Sequence, residues 1–260
     1  MPIFAESGAG ETVQNGLLVP YCGPVIACRY KDPRRQMVFA RRISIQLAAL
    51  LKENFGLVRF AFAPAYQDVQ PFIEAGYFPE LRFTYRAHTP IHRAQLSKGR
   101  RSDLDRFARH SATIAPDQDF AIFDVAAACD WNGDPGYTAK TQNLLRDACA
   151  RGKARAYVAQ AAGQHLGGLV AMTDGATAFS TQSYYTDTGA KLGASTALYV
   201  HAINTHLAKP DAKCFDFEGS VLAGVERFYQ SFGAEQTPYV GLHWAADPAR
   251  LNLHRLYEFS

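Results

Sequence analysis

Two hydrophobic periods alternate along this chain and lay out its elements before any chemistry is considered. Residues 17–30 read as extended segments broken by Pro20, Gly23 and Pro24. Over 34–56, Met37, Ile43, Leu47, Leu50 and Leu51 recur at helical spacing and predict a helix closed by Gly56. "LVRFAFAP" alternates as a strand, and "YFPELRFTYRAH" predicts another, entered through a turn at Gly76. "SKGRRSDLDRFARHSA" reads as a short basic helix. The pattern then restarts with a strand in "FAIFDVA" and a helix in "GYTAKTQNLLRDACARG" that ends near Gly152. Residues 154–186 predict three strands in meander, turning at Gly163 and at Asp174-Gly175. A helix follows with Ala197, Val200, Ile203 and Leu207 along one side, then a strand in "KCFDFEG", a helix in "VLAGVERFYQSFG" and a last strand in "QTPYVGLHW". Strands alternating with helices define a mixed α/β sheet. The element order suggests two halves, 1–112 and 113–260, the first a shorter and rougher version of the second; no residue-level repeat accompanies it.

Composition narrows the class. A chain of 260 residues, 48% hydrophobic, can bury a sizeable core. No run approaches the roughly 20 apolar residues of a membrane helix, and the N-terminus lacks the pattern of a secretory signal, which points to the cytoplasm. The five cysteines, Cys22, Cys28, Cys129, Cys149 and Cys214, are scattered without a C-x-x-C pair, so neither a disulfide framework nor a zinc site is expected. His201 and His206 stand five apart on one helix and point about 140° away from each other. His88 and His92 flank Pro90, so no metal site is expected there either. Through residue 110 the chain has 16 Lys and Arg against 9 Asp and Glu, and beyond it 11 against 15. The basic half suits a phosphate-rich ligand such as a coenzyme or tRNA, or is a solvated face. Within it Arg100 and Arg101 are candidates for ligand contact, partly neutralised by Asp103 and Asp105.

The chemistry concentrates in "CFDFEGSVLAGVERFYQSFG". On a strand Phe215 and Phe217 share one face, and Asp216 and Glu218 the other. Two carboxylates so close repel, which raises one pKa toward the value a general base for an ammonium needs. The same acids suit a helix cap or arginines at the sheet end. On the following helix Val221, Leu222, Val225, Phe228, Tyr229 and Phe232 form an apolar stripe. Tyr229 is either a core residue or a phenol whose ring is buried while its hydroxyl reaches a cleft.

This order of strand, helix, F-Y-x-x-F-G and strand resembles the end of the GNAT acyltransferase fold. More narrowly, "FDFEGSVLAGVERFYQSFGAEQTPY", with "PYCGPVIA" and "LSKGRRSDLDRFAR", resembles the Fem-like branch, whose chains hold two GNAT-type halves. The resemblance implies a degenerate N-terminal half over 1–112 and a catalytic half over 113–260. It implies transfer of an acyl or aminoacyl group to a small-molecule or peptide amine, from acyl-CoA in some members and aminoacyl-tRNA in others, with no tightly bound cofactor, metal, membrane or DNA. It makes Glu218 or Asp216 the base and Tyr229 the general acid. Gln182, Tyr184 and Tyr185 would line the donor cleft, and backbone N–H groups near 182–185 would polarise the carbonyl. The family's pyrophosphate loop, Gln/Arg-x-x-Gly-x-Gly/Ala, corresponds here to "AKLGAST". Ala190 stands where Arg or Gln belongs, Gly193 is kept, Ala194 follows it, and Ser195 replaces the last small residue; Gly189 and Lys191 would compensate. Acyl-CoA is the favoured donor, aminoacyl-tRNA the alternative, and an inactive binding scaffold a third reading. "TGAKLG" also reads as a plain turn into a helix.

Overall fold

The predicted meander sets the frame. In a computed structural model describing residues 4–6, 12–16, 18–120, 135–219 and 223–251, β6 (Ala154–Ala161), β7 (Gln164–Thr173) and β8 (Thr177–Tyr185) are successive antiparallel strands. A short strand β5 (Thr113–Pro116) extends them on the β6 side. On the other side of β8 lies β9 (Cys214–Asp216), parallel to it, and beyond β9 the end of β4 (Phe78–Ala87), antiparallel. These strands belong to a compact unit of Thr84–Thr237. It also holds α3 (Lys98–Arg109), α4 (Pro135–Ala150), α5 (Asp187–Leu192), α6 (Ala194–Leu207) and α7 (Ala223–Gln230).

A second compact unit comprises Met1–Phe83 and Pro238–Ser260. Its strands run β1 (Phe4–Glu6), β2 (Thr12–Gln14), β3 (Leu57–Ala61) and then β10 (Glu235–Ala245). Helices α1 (Pro33–Asn54) and α2 (Gln70–Glu74) belong to it. The contact boundaries fall at 83/84 and 237/238, whereas element order places one at 112/113.

Local sequence explains most element ends. Asp32 caps α1 by accepting the Arg35 N–H at 2.8 Å, and Pro33 occupies the first helical position. Ser97 caps α3 by accepting the Arg100 N–H. The expected stripe on α1 holds at Leu47 and Leu51 and shifts elsewhere. Its buried line runs through Ser44, Ala48 and Leu51, while Met37 and Leu50 are exposed. Small residues at 44 and 48 let the helix approach Val58, Phe60 and Phe62, which a longer side chain there would prevent. Helix α6 is buried on more than its expected side, because Thr196, Leu198, Tyr199, Ala202 and His206 are buried beside Ala197 and Ile203. The strand expected over 120–126 lies almost wholly outside the described residues, as do Cys129, Val221 and Leu222. Among the described residues no helix is long and apolar enough to cross a membrane.

The core of Thr84–Thr237 joins Leu166 and Leu169 of β7, Leu198, Tyr199 and Ile203 of α6, and Phe215, Phe217 and Phe232. Phe215 and Phe217 are fully buried, as their alternation predicts. Each such side chain contributes about 2–3 kcal/mol by leaving water. The Tyr199 ring stacks on Phe217 at 5.4 Å between centroids, and Tyr229 tilts against Phe217 at 5.0 Å. This aromatic block positions the site.

Candidate active site

Strand β9 ends at Asp216, two residues short of the Glu218 that the alternation argument needs. Phe217 continues in the core, but Glu218 has φ +58°, a left-handed conformation uncommon for a side-chain-bearing residue. The two acids therefore do not share a strand face. They still form a pair by another route, since the Glu218 N–H donates to Asp216 Oδ1 at 2.9 Å.

Their environments separate their roles. Asp216 is fully buried and lies opposite Arg86 in the β4–β9 register. Arg86 Nε donates to Asp216 Oδ2 at 2.8 Å, and the Thr84 hydroxyl, two residues along on the same face, donates to Oδ1. Asp216 is thus an anion whose oxygens are already claimed, one of the structural uses its sequence position allowed. Glu218 is the opposite case. Its Oε1 is buried with no hydrogen-bond partner, and its pKa is raised from 4.5 to about 8, first by burial and then by the Asp216 charge.

Hydroxyl groups gather around it. Tyr199 Oη shares a hydrogen bond with Ser180 Oγ at 2.8 Å. Burial raises the Tyr199 pKa; Ser180, Ser183 and Tyr229 hydroxyls act against that rise and the Glu218 charge adds to it. The Tyr229 phenol is pushed well above its ordinary value by burial, then by Tyr199 and the two carboxylates. Tyr185 Oη is fully buried and lacks a partner in bonding geometry; burial and then Tyr199 raise its pKa well above the ordinary value, with the Ser183 hydroxyl acting against that rise. Tyr229 therefore combines the two sequence readings, its ring packed on Phe217 and its hydroxyl within reach of a polar cluster.

A β-bulge in β8 decides which side chains join. The β7 register skips from Val170↔Gln182 to Ala171↔Ser180, leaving Thr181 as the extra residue. Ser180 before the bulge and Ser183 and Tyr185 after it share the Tyr199 side. Alternation turns Gln182 and Tyr184 to the other face. Of the three expected cleft residues the bulge thus brings Tyr185 to the cluster. Tyr199, Ser180 and Ser183 were missed, because nothing in a lone strand sequence marks a bulge and Tyr199 reads as one more apolar position of α6.

The two parallel strands also part here. Pairing of β8 with β9 stops at Phe179↔Asp216, while β8 continues to Tyr185. The Thr186 N–H donates to Leu166 O across β7, so by strand alternation the N–H groups of Ser183 and Tyr185 point away from β7 into the opening.

The "AKLGAST" stretch is built differently from an open loop. Thr186 caps α5 by accepting the Gly189 N–H at 2.9 Å. Gly189 is buried, and a Cβ there would stand 1.7 Å from Leu166 O, so this glycine serves the packing of α5 on β7. Lys191 is exposed in the last turn of α5. Gly193, at φ +83°, turns the chain into α6, whose first residues are the fully buried Ala194 and the half-buried Ser195. A Cβ on Gly193 would lie 2.5 Å from Asp103 O, because α3 is packed against this end of α6. Asp103 Oδ2 accepts the Thr196 hydroxyl at 2.8 Å, and its carboxylate is paired with Arg100 at 3.1 Å and with Arg106. Arg100 also donates to Thr196 Oγ1 and lies 4.9 Å over the Phe228 ring. Arg101 donates to Leu96 O. The residues at this helix end therefore do not fit the pyrophosphate of a CoA donor: a carboxylate, paired with Arg100 and Arg106, already stands beside the first turn of α6.

Comparisons with known proteins agree with this geometry at the level of fold. Residues 91–230 match the family described as "Acetyltransferase (GNAT) domain". The chain belongs to the GNAT superfamily. Its structural neighbours include members of the Fem-like branch. The crystal structure of FemX aligns with a TM-score of 0.61 at 9% identity, covering 94% of this chain and 82% of that one. A conserved protein of unknown function from Bacteroides thetaiotaomicron gives 0.61 at 11% identity, covering 92% and 80%. L-PGS from Bacillus licheniformis gives 0.53 at 12% identity, covering 94% and 80%. At such identities the likeness is one of fold. No curated protein matches the sequence significantly.

Proposed function

We propose that this protein is an N-acyltransferase that moves an acyl group from an activated donor directly to an amine, with Glu218 as the general base. The observation that carries the reading is the buried Glu218 carboxyl, its Oε1 without a hydrogen-bond partner and its pKa raised to about 8, beside the hydroxyls of Tyr199 and Tyr229. A base titrating close to neutrality is matched to an alkylammonium acceptor. The acceptor is a small-molecule or peptide amine.

In this reading the amine nitrogen attacks the donor carbonyl and a C–N bond forms. The proton passes to the Glu218 carboxylate, the form that the ammonium's charge favours, after the resting proton of that carboxyl has left to solvent. The bond from carbonyl carbon to the leaving oxygen or sulfur breaks, and the Tyr229 phenol, held protonated by its raised pKa, protonates the departing atom. The N–H groups of Ser183 and Tyr185, left open where β8 and β9 part, hydrogen-bond the developing oxyanion. Asp216, fixed by Arg86 and Thr84, holds the Glu218 backbone, and its charge adds to the rise that burial gives the Glu218 pKa; it is a positioning residue. Holding both reactants together supplies much of the rate.

Two donors suit this chemistry, an acyl-CoA thioester and an aminoacyl-tRNA ester. The Asp103 carboxylate at the α6 N-terminus favours the ester. The arrangement of two GNAT-type halves about residue 112, and a cytoplasmic site of action, belong to the same proposal. The test is transfer of labelled acetyl from acetyl-CoA, and of labelled amino acids from charged tRNA, onto a panel of amines. Glu218→Gln should lower the rate by about 10²–10⁴-fold, and Tyr229→Phe should lower it with little change in melting temperature. Unchanged rates in both variants would leave the fold as a binding scaffold.

A further inference from the structure

In the GNAT fold a helix N-terminus next to the splayed strands offers unpaired N–H groups and a positive dipole end to a phosphate. In this chain that end belongs to α6, which has no side-chain cap at Gly193. The complement comes instead from α3. Asp103, 7% exposed, lies against Gly193 and bonds the fully buried Thr196 hydroxyl inside the first turn of α6. Arg100 and Arg106 flank its carboxylate as cations flank a bound phosphate. The Nε of each guanidinium is buried without a partner, so the pocket offers more donors than one carboxylate uses. A carboxylate, two arginines and a hydroxyl make a charge-paired cluster beside the first turn of α6, and its anion is part of the chain.

We propose that Asp103 is the resident anion of the α6 N-terminus, and that it excludes pyrophosphate-bearing donors from that position. The acyl donor is then held by its other groups, and Arg100 serves Asp103 rather than the substrate. This inference deepens the acyl-transfer reading and takes its meaning from it. Its test is a binding measurement that needs no turnover.

Inorganic pyrophosphate is titrated into the full chain at low salt, followed by ³¹P NMR and by thermal shift. The wild type should take up none in the millimolar range. Asp103→Asn keeps the size of the side chain and its bond to Thr196 but removes the charge. It should bind pyrophosphate at least about tenfold more tightly than wild type, because two arginines and a helix end are left unneutralised. Asp103→Ala should gain more, by adding room. Should its fold fail by circular dichroism, Asp103→Asn still decides the matter. Adding Arg100→Ala to Asp103→Asn should abolish the gain. Saturable pyrophosphate binding by wild type that Arg100→Ala removes would overturn the proposal, since Asp103 would then be swinging aside. No gain in either variant would overturn it as well. Glu218→Gln should leave pyrophosphate binding unchanged, so a failed transfer assay and a failed binding assay point to different errors.

Discussion

Glu218 ties conformation, burial and protonation together in one side chain. A left-handed backbone at a residue other than glycine costs about 1 kcal/mol or more, and such cost persists where the surroundings enforce it. Burial raises its pKa from 4.5 to about 8, so the folded chain holds this proton more tightly than the unfolded chain does. Its contribution to stability is therefore complete below about pH 4.5, declines as pH rises from there to about 8, and is flat above. Glu218→Gln removes the titration. Relative to wild type, its melting temperature should rise progressively between pH 5 and pH 8 and then level off. A difference that does not vary with pH would mean the carboxyl is solvated. This residue was half legible in the sequence. The pairing of Asp216 with Glu218 was readable, and so was the rise of one pKa. The alternation argument behind it failed, because β9 stops at Asp216 and a backbone turn and hydrogen bond replace the shared strand face. Which acid would keep a charge depended on Arg86, 130 residues away.

At the scale of elements, the meander, the basic helix and the helix bearing Tyr229 followed from period and turn residues alone. The bulge in β8, the short helix α5 and the docking of α3 on α6 did not, since each depends on partners far along the chain. Thr181 carries no local sign that it is extra, yet it sends Tyr185 to the hydroxyl cluster and Tyr184 away. Gly189 shows the same point in reverse. Its place just before the motif suggests a compensating phosphate contact, but its missing side chain accommodates Leu166 O of β7. Gly189→Ala should therefore destabilise the fold by about 1–3 kcal/mol, the usual cost of overpacking, as read by urea denaturation. A neutral effect would show that α5 can lift from β7 at no cost.

For the whole molecule the informative fact is where the compact unit begins. Thr84 and Arg86, the partners of Asp216, lie on β4, and Asp103 lies on α3, all before residue 113. A fragment of 113–260 would lose β4, the strand paired with β9, and with it the arginine and the threonine that bond Asp216. Breaking such a pair from one side costs about 3–5 kcal/mol, a large share of a typical domain's stability. That fragment is expected to lack a cooperative thermal transition by circular dichroism, and a chain that retains residues 84–112 to show one. The matched family region, which begins at residue 91, likewise crosses residue 112.

The protonated resting state of Glu218 has a consequence for waste. In the proposed reaction, the raised pKa of Glu218 favours a neutral carboxyl that cannot draw a proton from water, so a donor waiting alone would be spared from hydrolysis. An arriving ammonium changes this, because its positive charge favours the carboxylate and pulls the pKa down just as the acceptor takes its place. The acceptor thus switches on the base that it needs. In the proposed reaction the activated donor is thus guarded by the timing of one proton.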